Sequence, residues 1–167
     1  EVTTIAGSPG SPGKTDATGT SAQFNQIRHC DFRVADGSLY SIGDAEYKVR
    51  RIATASAFEV TTVAGTGSNG EETGYGTSVN VPAFGGLALD ASGWALYLRT
   101  TSSRKLYRLD LSTGYLSHVA FDGTDAWTFG ASAHTSSIKS GFHGCMCAGS
   151  HSSASVGTSM LTSDLVV

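Results

Sequence analysis

Val2-Thr3-Thr4-Ile5-Ala6-Gly7 and Val60-Thr61-Thr62-Val63-Ala64-Gly65 are two copies of one motif, and their recurrence decides the fold. A Gly-rich run follows each copy, containing Gly19-Thr20-Ser21-Ala22 in the first case and Gly76-Thr77-Ser78-Val79 in the second. Each run leads to a second echo, Leu39-Tyr40 or Leu96-Tyr97, and then to Val49-Arg50-Arg51-Ile52 or Leu106-Tyr107-Arg108-Leu109. A repeat on the order of 40–60 residues marks a propeller or solenoid, in which one unit cannot bury its own apolar face.

Outward from these anchors the pattern is that of strands. Short β-branched and aromatic runs sit between Gly, Ser, Asp and Asn clusters, and helical spacing of apolar residues is nearly absent. Residues 2–6 read as a strand and 7–23 as a long loop. Strands are expected at 28–34, with Cys30, Phe32 and Val34 on one face, then at 39–42, 47–52 and 60–64. The second unit repeats the order at about 86–90, 95–99, 104–109 and 115–120. Four antiparallel strands joined by tight hairpins, with a long crossover to the next unit, make a propeller blade. The expected class is all-β, built of propeller-like blades whose ring is incomplete within one chain. Residues 1–7 form a leading outer strand that completes another blade, 8–65 blade 1, 66–121 blade 2, and 122–167 an incomplete or divergent third blade.

In order and spacing these segments resemble the NHL-repeat family of β-propellers, over roughly residues 1–120. In the first unit the matching segments are Val2–Gly7, Ala22-Gln23-Phe24, and Leu39-Tyr40 through Val49–Ile52. In the second they are Val60–Gly65, Gly86-Leu87-Ala88-Leu89-Asp90, and Leu96-Tyr97 through Leu106–Leu109. The hairpin Asp of that family falls here on Gly43 and Thr100, and its Asn on Glu46 and Ser103, so the Asn-His-Leu signature itself is absent. The resemblance implies a propeller, in a family that spans protein and RNA binding, lyases and esterase-like enzymes. Fold alone does not choose among these.

The bulk numbers narrow the function. A chain of 167 residues is long enough for a real core. The net charge is −3 and the pI about 5.9, which disfavours a nucleic-acid partner, since that needs a basic face. No apolar run is long enough to cross a bilayer as a helix. The first residue is Glu1, with no signal peptide, as expected of a processed protein or a piece of a longer one. Low charge with abundant Ser and Thr leans towards an extracellular or cell-surface setting, with Ser/Thr glycans possible in 8–23 and 150–159. Three cysteines make no disulfide scaffold, and Cys30 and Cys145 belong to blades too far apart to pair.

Candidate sites are sparse. His143, Cys145 and Cys147 alternate along one segment and could present soft ligands on one face, although small inward residues of a strand read the same way. No metal or cofactor is expected. Asp122-Gly123-Thr124-Asp125 lacks the closing Glu of a calcium loop and reads as a turn. Asp44 and Glu46 sit at a hairpin tip, where carboxylates are usually solvated. Lys48, Arg50, Arg51, Arg104, Lys105 and Arg108 lie on the third strands of two blades and could align as a basic stripe. A solvated face with cross-strand ion pairs accounts for them more simply, given the overall acidic balance. Trp94, Trp127 and Tyr107 are the large aromatics available to an interface. His29, Asp31, Asp90 and His143 are the titratable groups of inner strands, and no hydrolase, phosphate-loop or metalloprotease motif is present.

The expectation is therefore a non-enzymatic structural or interaction module. Its open strand edges, with Val2, Thr3, Thr4, Ile5 and Ala6 as the added strand, would pair with other protein chains, copies of itself in the preferred version, to build a ring or filament. The alternatives are a partner-binding segment of a longer propeller and a propeller enzyme with channel-lining catalytic residues.

Overall fold

Asp-Gly and Ser-Gly punctuation sets the hairpins. Asp36 accepts the Ser38 N–H and Gly37 turns the chain at φ 64°. In the second unit Asp90 accepts the Trp94 and Ala95 N–H groups, and Asp110 accepts those of Ser112 and Thr113. A carboxylate that gathers the N–H groups of its own turn closes a hairpin without help from distant residues. Between these turns the alternating segments form strands.

The structure, a computed structural model, describes residues 1–120. Strands β1 (Ile27–Arg33), β2 (Ser38–Gly43), β3 (Val49–Ala53) and β4 (Glu59–Ala64) form one antiparallel sheet in sequence order. Strands β5 (Gly74–Tyr75), β6 (Phe84–Leu89), β7 (Ala95–Thr100), β8 (Leu106–Asp110) and β9 (Tyr115–Ala120) form a second, ordered β5-β9-β8-β7-β6. These are two propeller-like blades, and they close no ring among the described residues. The strands expected from the sequence at 28–34, 39–42, 47–52 and 60–64, and their four counterparts, coincide with β1–β4 and β6–β9 to within a residue or two.

The repeat extends to backbone detail. Gly7 N–H donates to Gly19 O and Gly65 N–H to Gly76 O, each at 3.1 Å. Gly7 and Gly65 stand at φ 99° and 93°, a region that favours glycine. A Cβ on Gly65 would collide with Tyr47 O, so the second copy has no room for a side chain. Each crossover then lays its end along the outer strand of the blade it enters. Tyr75 pairs with Tyr115 in blade 2, and Thr18 bridges Glu59 in blade 1.

Residues 2–6 are the exception. They form no strand, and Val2 is 99% exposed. Val60–Ala64 has nearly the same sequence, but its backbone pairs with β3. Residues 2–6 have no such neighbour among the described residues. A strand needs a partner for its N–H and C=O groups, and propensity does not supply one.

The blades pack face to face. Cross-strand rows Leu87, Leu98, Tyr107 and Leu89, Leu96, Leu109, Leu116 cover one side of the second sheet. They bury against Tyr40, Ile42, Val49 and Ala64 of the first sheet, with Val79 and Val81 of the crossover filling between. The inner strands meet where Asp31 accepts the Leu89 N–H at 2.8 Å. None of the described helices is long and apolar enough to cross a membrane.

Candidate functional site

The face of blade 1 that points away from blade 2 is the surface on which a further blade would pack. Its rows correspond strand for strand to the apolar rows of blade 2. Phe32, Leu39, Ile52 and Val60 stand where blade 2 has Leu89, Leu96, Leu109 and Leu116. Cys30, Ser41 and Arg50 stand where blade 2 has Leu87, Leu98 and Tyr107. The crossover covers part of this face, burying Ala22 over Ile52 and Val60 with Phe24 and Phe58 packed alongside. Towards the inner strand it is open. Ile27 is 50%, Phe32 48% and Val34 84% exposed, and Cys30 is a free, exposed thiol.

Arg50 anchors the covered part. It is wholly buried, and its Nη1 lies 2.8 Å from Oε1 of Glu46, itself wholly buried. Nη2 donates to Thr15 O and Nη1 also to Gln23 O, so the guanidinium ties the crossover to β3. Its plane lies over Phe24, with Cζ 4.9 Å from the ring centroid. Nε sits 2.8 Å from Asp16 Oδ1 but off the line of a hydrogen bond. Asp16 in turn accepts the Thr62 N–H and hydroxyl. Ala45 and Tyr47, both at φ 51°, bracket Glu46. Such left-handed non-glycine residues mark a loop held by its surroundings. Burial raises the Glu46 carboxyl above its ordinary range, against the pull of Arg50 and Lys48.

This corrects two expectations. Glu46 is not a solvated carboxylate of a hairpin tip, because the loop folds it beneath the crossover to meet Arg50. Nor do the six cations form a stripe. Arg50 and Arg51 are neighbours on β3 and point to opposite faces. Arg51 meets Asp36, Lys105 meets Glu71 and Arg108 meets Asp110. Lys48 donates to Lys14 O at 3.1 Å, and Arg104 stands at φ 53° in the loop before β8. Strand alternation and local carboxylates disperse the charge that the linear sequence gathers.

Tyr107 is likewise no interface residue. It is wholly buried, edge-on to Phe84 at 5.6 Å and to His118 at 4.3 Å. Burial, with the nearby Glu71 charge, pushes its phenol up to about 12. Its hydroxyl has no hydrogen-bond partner among the described residues. Removing an unpaired buried hydroxyl relieves a desolvation penalty, so Tyr107→Phe is expected to leave stability unchanged or raise it by up to about 1 kcal/mol. Urea unfolding decides this, and a loss of that size instead would reveal a partner for the hydroxyl.

Trp94 is 53% exposed at the β6–β7 turn, as an interface candidate requires, but it is not isolated. The Arg33 guanidinium lies over its ring at 4.4 Å and donates from Nε to Gly93 O at 2.6 Å. Arg33 Nη1 reaches Asp36 at 2.8 Å, and Arg51 Nη2 reaches the same carboxylate oxygen at 3.4 Å. Burial alone would raise the Asp36 carboxyl, but the hydrogen bonds from Arg33 and Ser38 outweigh it and hold it below its ordinary value. This cluster was missed from the sequence. Its only local signal is Arg33 three residues before Asp36-Gly37, since Arg51 and Trp94 join it through the sheet and the blade interface.

No group of three or more potential metal ligands occurs among the described residues. Trp127, His143, Cys145, Cys147 and the Asp122–Asp125 turn lie outside the described residues. Of the inner-strand titratable groups, His29 and Asp31 lie on β1, and Asp90 serves the β6–β7 turn.

No protein-family model and no curated protein matches the chain. Among solved structures it is similar to a structural-genomics protein of unknown function from Bacteroides thetaiotaomicron, at 18% identity and a TM-score of 0.52. The match covers 71% of this chain and 29% of that one, so this chain spans less than a third of the structure it resembles. At that identity the likeness shows a shared fold and nothing about activity.

Proposed function

We propose that the chain is a non-enzymatic structural and interaction module that docks blade to blade with other protein chains, copies of itself in the preferred version. The observation that carries this reading is the presence of two unsatisfied features among the described residues. Residues 2–6 repeat an outer-strand sequence without a sheet to join among the described residues. Ile27, Phe32 and Val34 remain exposed on the face equivalent to the one through which blade 2 buries against blade 1. A segment written as an outer strand joins a neighbour's blade by strand addition, and the neighbour's blade covers Phe32 and Val34. The contact is head to tail, so it gives a ring if the rotation closes and a filament if it does not. An extracellular setting and Ser/Thr glycans are compatible with this mechanism, and nucleic acid, cofactor and bilayer have no part in it.

Light scattering of the 167-residue chain across a concentration series tests the proposal. Assembled species are expected, with deletion of residues 1–7 or Phe32→Glu returning a folded smaller form. A folded monomer at every concentration overturns self-assembly. A second reading, in which the same face meets further blades of one longer protein, is favoured by the larger solved structure of which this chain spans 29%. It predicts instead a chain that cannot fold alone.

A further inference from the structure

Between the two blades, on the side of the β1–β2 and β8–β9 turns, lies a cavity of about 400 Å3 lined by Arg33, Asp36, Tyr40, Arg51, Leu109 and Asp110, among others. That volume is within the range of small-ligand pockets, and its lining combines apolar walls with a few convergent polar groups, as such pockets do. We propose that this cavity binds a small oxyanion, a carboxylate or a phosphate, with the Arg33 and Arg51 guanidinium groups as its positive pole.

Charge supports this first. Arg33 and Arg51 converge on a single carboxylate, that of Asp36. The other acid in the lining, Asp110, is already matched by Arg108 and by the donors of its own turn. With Arg108 behind Asp110, the charges among the described residues here are three guanidinium groups and two carboxylates, one positive charge in excess. Arg33 is 9% exposed and held by Gly93 O, Asp36 and the Trp94 ring, so it supplies fixed positive charge at the wall, and the spare donor belongs to Arg51. Arg51 uses Nε on Ser38 and Nη2 on Asp36, and its Nη1 donates to no described residue. A planar guanidinium with a spare N–H suits a planar or tetrahedral oxyanion.

The repeat supports it second. Tyr40 and Arg51 are cross-strand partners in blade 1, and Tyr97 and Arg108 are the same pair in blade 2. Arg33 and Asp36 have no such echo. At the matching hairpin, blade 2 has Asp90 and Gly93, the reverse charge and no side chain. The propeller can thus be built without an Arg33–Asp36 pair, and blade 1 carries one only where the cavity opens.

Isothermal titration of the whole chain with inorganic phosphate, and separately with succinate, tests the site and tells the two oxyanions apart. Saturable binding of at least one, of roughly millimolar affinity at low salt, is expected. Arg51→Gln should weaken it at least about tenfold, as loss of a charge-assisted hydrogen bond does. Asp36→Asn keeps the acceptor for Ser38 while releasing both guanidinium groups, so it should tighten binding severalfold. A purely structural cluster would make both variants bind worse or alike. Failure of either ion to saturate, unchanged affinity in Arg51→Gln, or no tightening in Asp36→Asn overturns the proposal. If Arg51→Gln does not fold, Asp36→Asn decides alone. The outcome is independent of whether copies of the chain assemble.

Discussion

Arg50→Met is expected to lower stability by about 3–5 kcal/mol, the usual consequence of removing one partner from a buried ion pair. The size comes from what remains. Glu46 is wholly buried, its Oε2 has no hydrogen-bond partner among the described residues, and without Arg50 none of them offers the ionised carboxylate a counter-charge at hydrogen-bond distance. The crossover also loses the two carbonyl contacts at Thr15 and Gln23. Changing both residues, Glu46→Leu with Arg50→Met, should cost less than Arg50→Met alone, because no charge is then stranded. Acidity gives an independent reading. The folded-state carboxyl of Glu46 is raised by burial above its ordinary value of 4.5. A group raised on folding contributes stability that is complete below its unfolded value and is lost as pH rises through the folded one. Without Arg50 the folded value rises further, so the deficit of the Arg50→Met variant should shrink as pH falls from neutrality towards the ordinary carboxyl range. Urea unfolding at a series of pH values measures this, and a deficit independent of pH would show that Glu46 is not the stranded charge.

Phe84→Ala should cost about 3–5 kcal/mol, as expected for deleting a buried ring that its surroundings cannot replace. Phe84 is 2% exposed at the start of β6 and stands edge-on to Tyr107, whose other neighbour is His118. The cavity would therefore open within the larger apolar cluster, between sheets held by their cross-strand rows. Phe32→Ala provides the contrast. Phe32 lies on the open face of blade 1, so in the dispersed chain its truncation should change stability by no more than about 0.5 kcal/mol. Denaturant midpoints for the two variants, measured at low protein concentration, test whether blade 2 and not the open face carries the core. Equal losses would mean that Phe32 is already covered.

Much of the fold was legible because its signals are local. Asp36-Gly37, Ala91-Ser92-Gly93 and Ser112-Thr113-Gly114 close hairpins with their own side chains and glycines, and the strands between them alternate with period two. The structure repeats even the Gly–Gly hydrogen bond that ends each copy of the duplicated motif. The site was less legible. Cys30, Phe32 and Val34 were expected on one face and are exposed together. Glu46 read as a surface carboxylate because hairpin tips are usually wet, and nothing adjacent announces the crossover that covers it. Tyr107 read as an anchor because aromatic residues suit interfaces and interiors equally. Arg33, Arg51 and Trp94 are scattered along the chain, and only the packing of one sheet on the other brings them around Asp36.

The sequence alone determined the all-β class, the four-strand unit, its repetition, and the positions of the turns, because hydrogen-bonding turn residues and side-chain alternation act within a few residues. The tertiary structure decided which members of the repeat are used differently. It gave residues 2–6 no strand partner among the described residues. It buried Arg50 with Glu46 where blade 2 buries Tyr107, and it gathered two guanidinium groups onto one carboxylate beside a cavity. Those outcomes depend on which backbone lies alongside and how much water it displaces, and neither is encoded in the residues taken singly.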